Sequence, residues 1–80
     1  MIKVEARLFA TLRRYRPEVS LNEPIVVELA QGSTVEQLWQ TLGIPEDVVK
    51  QTFVNGLQAD RSTTLHDGDR VGIFPPIAGG

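Results

Sequence analysis

Only one segment of this sequence has the apolar spacing of a helix long enough to pack against other structure, and it lies near the middle of the chain. Its apolar residues recur at i, i+3, i+4 and i+7, on one helix face: Val35, Leu38, Trp39 and Leu42. Ser33 and Thr34 are followed three positions later by Glu36 and Gln37, so either pair predicts a capping box. Gly43 marks the predicted end. Strands must therefore supply most of the remaining core.

Segments on both sides of this helix have the character of strands. From Ile2 to Ala10 apolar and charged residues alternate with period two, and only Phe9 breaks the pattern. The later predicted strands are Ile25 to Leu29, Gln51 to Val54, Leu57 to Ala59 and Arg70 to Phe74. Short helical turns are predicted over Thr11 to Arg16 and Pro45 to Val49. The Asn55-Gly56 pair predicts a tight hairpin between two of the strands.

The resulting order is strand, strand, helix, strand, short strand, strand, which predicts an α+β layer pair. If the first two strands form a hairpin and the last strand joins beside the first in the same direction, the arrangement is a β-grasp. We therefore predict a ubiquitin-like β-grasp fold, a mixed sheet of four to five strands packed on one main helix. The predicted domain covers residues 1–74, and a flexible tail follows over residues 75–80.

Composition excludes several classes of function. The 80 residues contain no cysteine, which removes disulfides, cysteine-based zinc sites and thiol nucleophiles. A formal charge of −2 argues against a surface for nucleic acid, which requires basic residues that neutralise phosphates. Residues 1–7 alternate in character and lack the apolar run of a signal peptide or membrane span. We expect a single cytoplasmic domain with no metal site that binds neither nucleic acid nor membrane.

The tail is the segment with the clearest chemical meaning. The last predicted strand is followed by Pro75-Pro76 and then by residues of decreasing size, ending in Gly79-Gly80. Prolines favour an extended chain, and small residues fit a narrow channel. The carboxylate of Gly80 becomes reactive once an ATP-using partner converts it into an acyl-adenylate, which a nucleophile then attacks. The alternative is that Gly-Gly is a frayed end without function.

Five stretches of the sequence resemble the MoaD/ThiS family of sulfur-carrier proteins and together cover nearly the whole chain. They are Arg7 to Arg13, Thr34-Val35-x-x-Leu38, Val54-Asn55-Gly56, Leu65-x-Asp67-Gly68-Asp69-x-Val71 and Phe74 to Gly80. The last two are the most specific. The ending Phe-Pro-Pro-x-x-Gly-Gly is more similar to MoaD, the small subunit of molybdopterin synthase, than to ThiS.

The resemblance implies a carrier that has no catalytic activity of its own and binds no cofactor. A ubiquitin-activating-type adenylating enzyme would consume ATP to adenylate Gly80, and sulfur would replace AMP to give a thiocarboxylate. A MoaE-like large subunit of molybdopterin synthase would then use this sulfur in molybdenum cofactor biosynthesis. Partner contacts are expected at Phe74, Pro75, Pro76, Ile77, Ala78 and Gly79. For Phe74 the alternative is ordinary packing in the strand core.

Three alternatives to this function stay open. The first alternative is a sulfur carrier for thiamin, for a tungsten cofactor or for tRNA thiolation, since the tail chemistry is common to all of them. The second is a ubiquitin-like modifier that the same adenylated Gly80 joins to lysines. A third possibility, from another class, is a binding module whose tail is inert.

Other residues carry weaker signals. Three arginines flank Tyr15: Arg13, Arg14 and Arg16. They predict either a basic patch that binds RNA or an acidic protein surface, or simply a solvent-exposed turn. Asp67 and Asp69 are too few for a convincing cation site, and turn formation accounts for them. His66 has no neighbouring motif that indicates catalysis or metal binding. Trp39 is predicted to be core.

Overall fold

The computed structural model of the chain describes residues 1–20 and 23–76 and has the predicted α+β architecture, a mixed sheet packed on one main helix. The strands are β1 (Ile2–Leu8), β2 (Ile25–Leu29), β3 (Gln51–Val54), β4 (Leu57–Ala59) and β5 (Arg70–Phe74). The helix is α1 (Val35–Leu42), and two short 3₁₀ helices cover Ala10–Tyr15 and Glu46–Val48. The prediction of fold class is confirmed.

The strand order in the sheet is β2-β1-β5-β3-β4. β1 and β2 form an antiparallel hairpin, β5 lies parallel to β1, and β3 is antiparallel to both β5 and β4. Asn55 and Gly56 have φ values of 52° and 83°, as the predicted two-residue hairpin turn requires at both positions. The parallel pair of β1 and β5 in the centre makes this sheet a β-grasp.

The first strand is two residues shorter than predicted. The alternation that extends from Ile2 to Ala10 in the sequence ends in the structure at Leu8. Ala10 has a φ of 53° and begins the 3₁₀ helix, so the chain turns away from the sheet at this point. Phe9 is the junction residue, because its N–H still donates to the carbonyl of Ile73 at 3.1 Å.

α1 begins at the predicted capping box, which uses Thr34 and Gln37. The Thr34 N–H donates to Oε1 of Gln37 at 2.8 Å, and the Gln37 N–H donates to Oγ1 of Thr34 at 3.4 Å. The N–H groups of Val35 and Glu36 donate to carbonyls of the segment 60–64, at 2.9 and 3.0 Å. All four of these backbone N–H groups at the start of the helix therefore have acceptors within the protein.

The core lies between α1 and one face of the sheet. Its buried apolar residues are Ile2, Val4, Ala6, Leu8, Leu12, Val27, Leu29, Val35, Leu38, Trp39, Leu42, Ile44, Leu65, Val71 and Ile73. Trp39 is part of this core, as predicted, and its indole Nε1 donates to Oγ1 of the buried Thr52 at 3.2 Å. Within residues 1–20 and 23–76, no helix is long and apolar enough to cross a membrane.

The segment after β4 is held to the helix side of the molecule by polar contacts. Arg61 forms ion pairs with Glu36 and Glu46, and the hydrogen bond to Glu36 raises the pKa of Arg61 above its ordinary value. Asp60 accepts hydrogen bonds from the Ser62 hydroxyl at 2.8 Å and from the Ser62 N–H at 3.1 Å. These bonds, that of the hydroxyl foremost, lower the pKa of Asp60 below its ordinary value.

Candidate functional site

Three aromatic residues meet on the sheet face opposite α1. In β5, Val71 and Ile73 point into the core, so Gly72 and Phe74 lie on the other face. Phe53 of β3 is the register partner of Gly72 and lies on that outer face as well. Phe9 joins them from the end of β1. We call Phe9, Phe53 and Phe74 the aromatic patch.

The rings of the aromatic patch contact one another in two geometries. Phe9 and Phe74 are stacked in parallel with ring centroids 4.3 Å apart. Phe53 meets Phe74 edge-on, with centroids 5.6 Å apart and an angle of 84° between the rings. Both arrangements are favourable for aromatic pairs. Phe9 remains 37% exposed, and the other two rings are half-buried, so the cluster presents apolar surface to solvent.

Gly72 lies directly beneath this cluster. A Cβ atom at this position would be 3.3 Å from Cε2 of Phe9 and 3.4 Å from Cε1 of Phe74. Because glycine has no side chain, the two rings cover the β5 backbone closely. Gly72 thus leaves room for the stacked rings of Phe9 and Phe74 to approach the β5 backbone.

A shallow groove of about 380 Å³ adjoins the aromatic patch. Its lining residues are Arg7, Phe9, Phe53, Gly56, Arg70, Val71, Gly72 and Phe74. The floor is apolar, and Arg7 and Arg70 place cationic side chains along it. An exposed apolar cluster with a charged rim is typical of a protein interaction site. The groove is suited to a partner that presents apolar side chains together with acidic ones.

The tail leaves the sheet beside the aromatic patch. β5 is hydrogen-bonded up to its last residues, since the Lys50 N–H donates to the Phe74 carbonyl at 2.8 Å and the Phe9 N–H donates to the Ile73 carbonyl. Pro75 and Pro76 have no N–H and therefore cannot extend the ladder. Ile77, Ala78, Gly79 and Gly80 lie outside the described residues, so their predicted roles stay predictions.

The structure decides where Phe74 lies, and the alternative of a core position is wrong. The ring of Phe74 is on the outer face, in contact with Phe9 and Phe53 and away from α1. Pro75 is half-buried and Pro76 is exposed. The predicted partner residues that the structure describes therefore surround the exit of the tail.

The acidic residues before β5 have structural roles: Asp69 forms a hydrogen bond within the turn, as the sequence indicated, and Asp67 joins the turn to β1. Oδ1 of Asp67 accepts from the Lys3 N–H at 2.8 Å. The two carboxylate oxygens of Asp69 accept from the Asn55 side chain at 2.9 Å and from the His66 N–H at 2.8 Å. In the described part of the chain, no group of three or more histidine or acidic side chains is placed to hold a metal ion.

Sequence reasoning missed two of the three aromatic residues. The sequence pattern marks Phe9 only as a break in the alternation of the first strand, and it places Phe53 in a strand without indicating a role. The break itself is a usable signal, because it moves a large apolar side chain to the solvent face at the strand end. Phe53 carries no comparable local signal, since its partners come from β1 and β5.

The sequence profile of the ThiS family matches residues 6–80, which include the tail. The chain belongs to the ThiS family. The sequence prediction of a MoaD/ThiS relationship is therefore confirmed. No curated protein sequence matches this ThiS-family protein.

Solved structures extend the comparison. A protein from Pyrococcus furiosus, assigned as molybdopterin converting factor subunit 1, is 27% identical, with a TM-score of 0.76 over 96% of this chain and 100% of that one. SAMP1 from Haloferax volcanii is 25% identical, with a TM-score of 0.71 over 98% and 99%. A chain of the complex of subunits 1 and 2 of molybdopterin-converting factor from Helicobacter pylori has 23% identity and a TM-score of 0.63, over 99% of this chain and 100% of that one. At that identity the likeness shows the fold alone.

Proposed function

We propose that this ThiS-family protein is a sulfur carrier in which the carboxylate of Gly80 is adenylated and then converted to a thiocarboxylate. The observation that carries the proposal is the way β5 ends. Its ladder stops at Phe74, two prolines follow, and the aromatic patch lies at this exit. The family match extends through Gly79 and Gly80, which supports a role for the tail.

The chemistry needs two steps that a partner enzyme catalyses. In the first, a Gly80 carboxylate oxygen attacks the α-phosphorus of ATP, which forms an acyl-adenylate and releases pyrophosphate. In the second, hydrosulfide attacks the acyl carbon, the bond to AMP breaks, and the products are a thiocarboxylate, AMP and a proton. The carrier's own contribution is binding, because a carboxylate that is presented in an extended tail needs no side chain of the carrier for either step.

The aromatic patch provides the contact that brings the tail into a partner's active site. A tail of six residues contributes few contacts of its own, and ordering it has an entropic cost. Rigid aromatic side chains beside the tail add apolar contact area with little further loss of conformational freedom. Phe74, which is both the last residue of β5 and the centre of the patch, couples docking of the domain to the direction of the tail.

We assign the sulfur acceptor to a MoaE-like large subunit of molybdopterin synthase. The ending Phe-Pro-Pro-x-x-Gly-Gly supports this assignment, as does the identity of 27% with the subunit 1 protein of Pyrococcus furiosus. In this function ATP is consumed by the adenylating partner and is not held by the carrier.

A second candidate function has support of its own. SAMP1 of Haloferax volcanii matches the chain at 25% identity over nearly its full length, and the name denotes a modifier protein. The same acyl-adenylate would then be attacked by a lysine amine, forming an isopeptide bond with loss of AMP and a proton.

The test is to incubate the full chain with the adenylating enzyme of its own organism, ATP and sulfide, and to measure its intact mass. We expect the mass increase of one oxygen replaced by sulfur, located at Gly80 by fragmentation. Deletion of Gly80 should abolish this change. Phe74→Ala should reduce loading at low enzyme concentration. Val26→Ala removes an exposed apolar side chain from the same sheet face, in β2, and should load normally.

A wild-type chain that is adenylated but never acquires sulfur would contradict the carrier function. In that case, conjugates of higher mass on an immunoblot of cell extracts would favour the modifier function. Normal loading of the Phe74→Ala variant at every enzyme concentration would contradict the role of the aromatic patch while leaving the tail chemistry intact.

A further inference from the structure

A second, smaller cavity lies at the same end of the sheet, between the end of β1 and the segment that leads into β2. Its volume is about 60 Å³, enough for a group of several heavy atoms. Three half-buried arginines line it: Arg7, Arg13 and Arg16. We call these three residues the arginine pocket. They come from β1, from the 3₁₀ helix and from the residue after it.

Backbone carbonyls hold the guanidinium groups of Arg13 and Arg16 without neutralising them. Arg13 donates to the Val19 carbonyl at 3.3 Å, and Arg16 donates to the Tyr15 carbonyl at 2.6 Å. Over residues 1–20 and 23–76, none of the three arginines forms an ion pair with a carboxylate. A guanidinium has five N–H donors, so several remain for a ligand.

One carboxylate, that of Glu23, also lines the cavity. Its Oε1 accepts a hydrogen bond from the Ser20 N–H at 3.2 Å. Three positive charges therefore face one negative charge here, in a chain whose formal net charge is −2. The local excess of positive charge favours an anionic ligand.

The arginine pocket is continuous with the groove at the aromatic patch. Arg7 and Phe9 line both cavities, so a surface that covers the patch also reaches the arginines. A partner that takes up the tail must lie over this end of the sheet, because β5 ends there. The ligand of the arginine pocket is thus expected to come from that partner.

We propose that the arginine pocket receives a glutamate or aspartate side chain of the protein that takes up the tail. This inference rests on the proposed function. A carboxylate fits the planar fork of a guanidinium and forms two parallel hydrogen bonds with it. The apolar rings beside the pocket match a folded protein surface better than a nucleic-acid backbone, which would need a wider basic face.

The test compares charge reversals inside and beside the pocket. Arg13→Glu and Arg16→Glu place a negative charge where the carboxylate would bind. Arg14→Glu is the matched control, since Arg14 is exposed on the same 3₁₀ helix and is not among the lining residues. The dissociation constant for the organism's adenylating enzyme is measured by calorimetry at low and high salt. Melting curves identify any variant that is poorly folded, and Arg13→Gln and Arg16→Gln then replace it.

We expect each pocket variant to bind at least about 10-fold more weakly than wild type at low salt, and Arg14→Glu to bind within about twofold. At saturating carrier, the rate of thiocarboxylate formation should stay unchanged while the KM for the carrier rises. If wild type loads and the pocket variants bind like the control, the proposal is wrong but the carrier function stands. An equal loss of affinity in Arg13→Glu, Arg16→Glu and Arg14→Glu also contradicts the proposal, because such a result indicates general attraction between opposite charges. If wild type is never adenylated, both proposals fail.

Discussion

Replacing Thr52 with valine should destabilise the domain without disturbing the surface that binds partners. Thr52 is only 2% exposed, and its hydroxyl accepts the hydrogen bond of the Trp39 indole, which is 7% exposed. Valine has nearly the same shape but no acceptor, so the buried N–H loses its partner. In the described residues no buried side-chain polar atom is without one. Leaving such a donor unsatisfied costs about 1–3 kcal/mol.

A central value of about 2 kcal/mol corresponds to a fall in melting temperature of roughly 8–16 °C for a domain of this size. Urea unfolding followed by the fluorescence of Trp39, the single tryptophan of the chain, measures the free energy of unfolding directly. The slope of the transition should not change. Thr52→Ser is the control, because it keeps the hydroxyl and loses one methyl group, at a cost of about 1 kcal/mol.

The valine variant must be less stable than the serine variant if the hydrogen bond matters more than the methyl group. A valine variant as stable as wild type would refute the reasoning. Loading of Gly80 well below the melting temperature should be normal in both variants, since Thr52 faces the core while the adjacent Phe53 belongs to the aromatic patch on the opposite face.

Two further predictions concern the surface. Hydrogen bonds from Ser62 hold the pKa of Asp60 below its ordinary value of 3.8. The Asp60 carboxylate therefore contributes to the stability of the fold above pH 3.8, and this contribution is lost as the pH falls through its lowered pKa. In Ser62→Ala, NMR titration should show the pKa of Asp60 closer to 3.8. Gly72→Val should force Phe9 and Phe74 apart and weaken binding to the adenylating enzyme by about 10-fold, with a melting temperature near that of wild type. An unchanged stacked ring pair in the structure of the variant would contradict this.

Much of the fold is predictable because its signals are local. The capping box of Thr34 and Gln37 marks the start of α1 within a few residues of sequence. Asn55-Gly56 identifies the hairpin of β3 and β4 for the same reason, since both residues adopt positive φ. β1 ends two residues before the position that the sequence predicts, because Ala10 continues the apolar alternation but adopts a left-handed conformation.

The candidate site is less predictable because it depends on strand order. Phe9, Phe53 and Phe74 are far apart in the chain and meet only because β5 lies between β1 and β3. A shift of one residue in the strand would exchange the faces of Ile73 and Phe74, and because both residues are apolar the sequence does not decide which of them faces the core. The arginine pocket has a more local origin, since the turn of the chain after β1 brings Arg7 to Arg13 and Arg16.

The central position of β5 has a consequence for the synthesis of the protein. The hairpin of β1 and β2 and the hairpin of β3 and β4 pair with each other only through β5, which leaves the ribosome after both of them. Until residues 70–74 emerge, the two hairpins lack the strand that joins them, and the core lacks Val71 and Ile73. Folding is therefore deferred until translation has passed the strand that leads into the tail. A chain that stops before β5 lacks the strand that joins the two hairpins, so we expect it to remain incompletely folded.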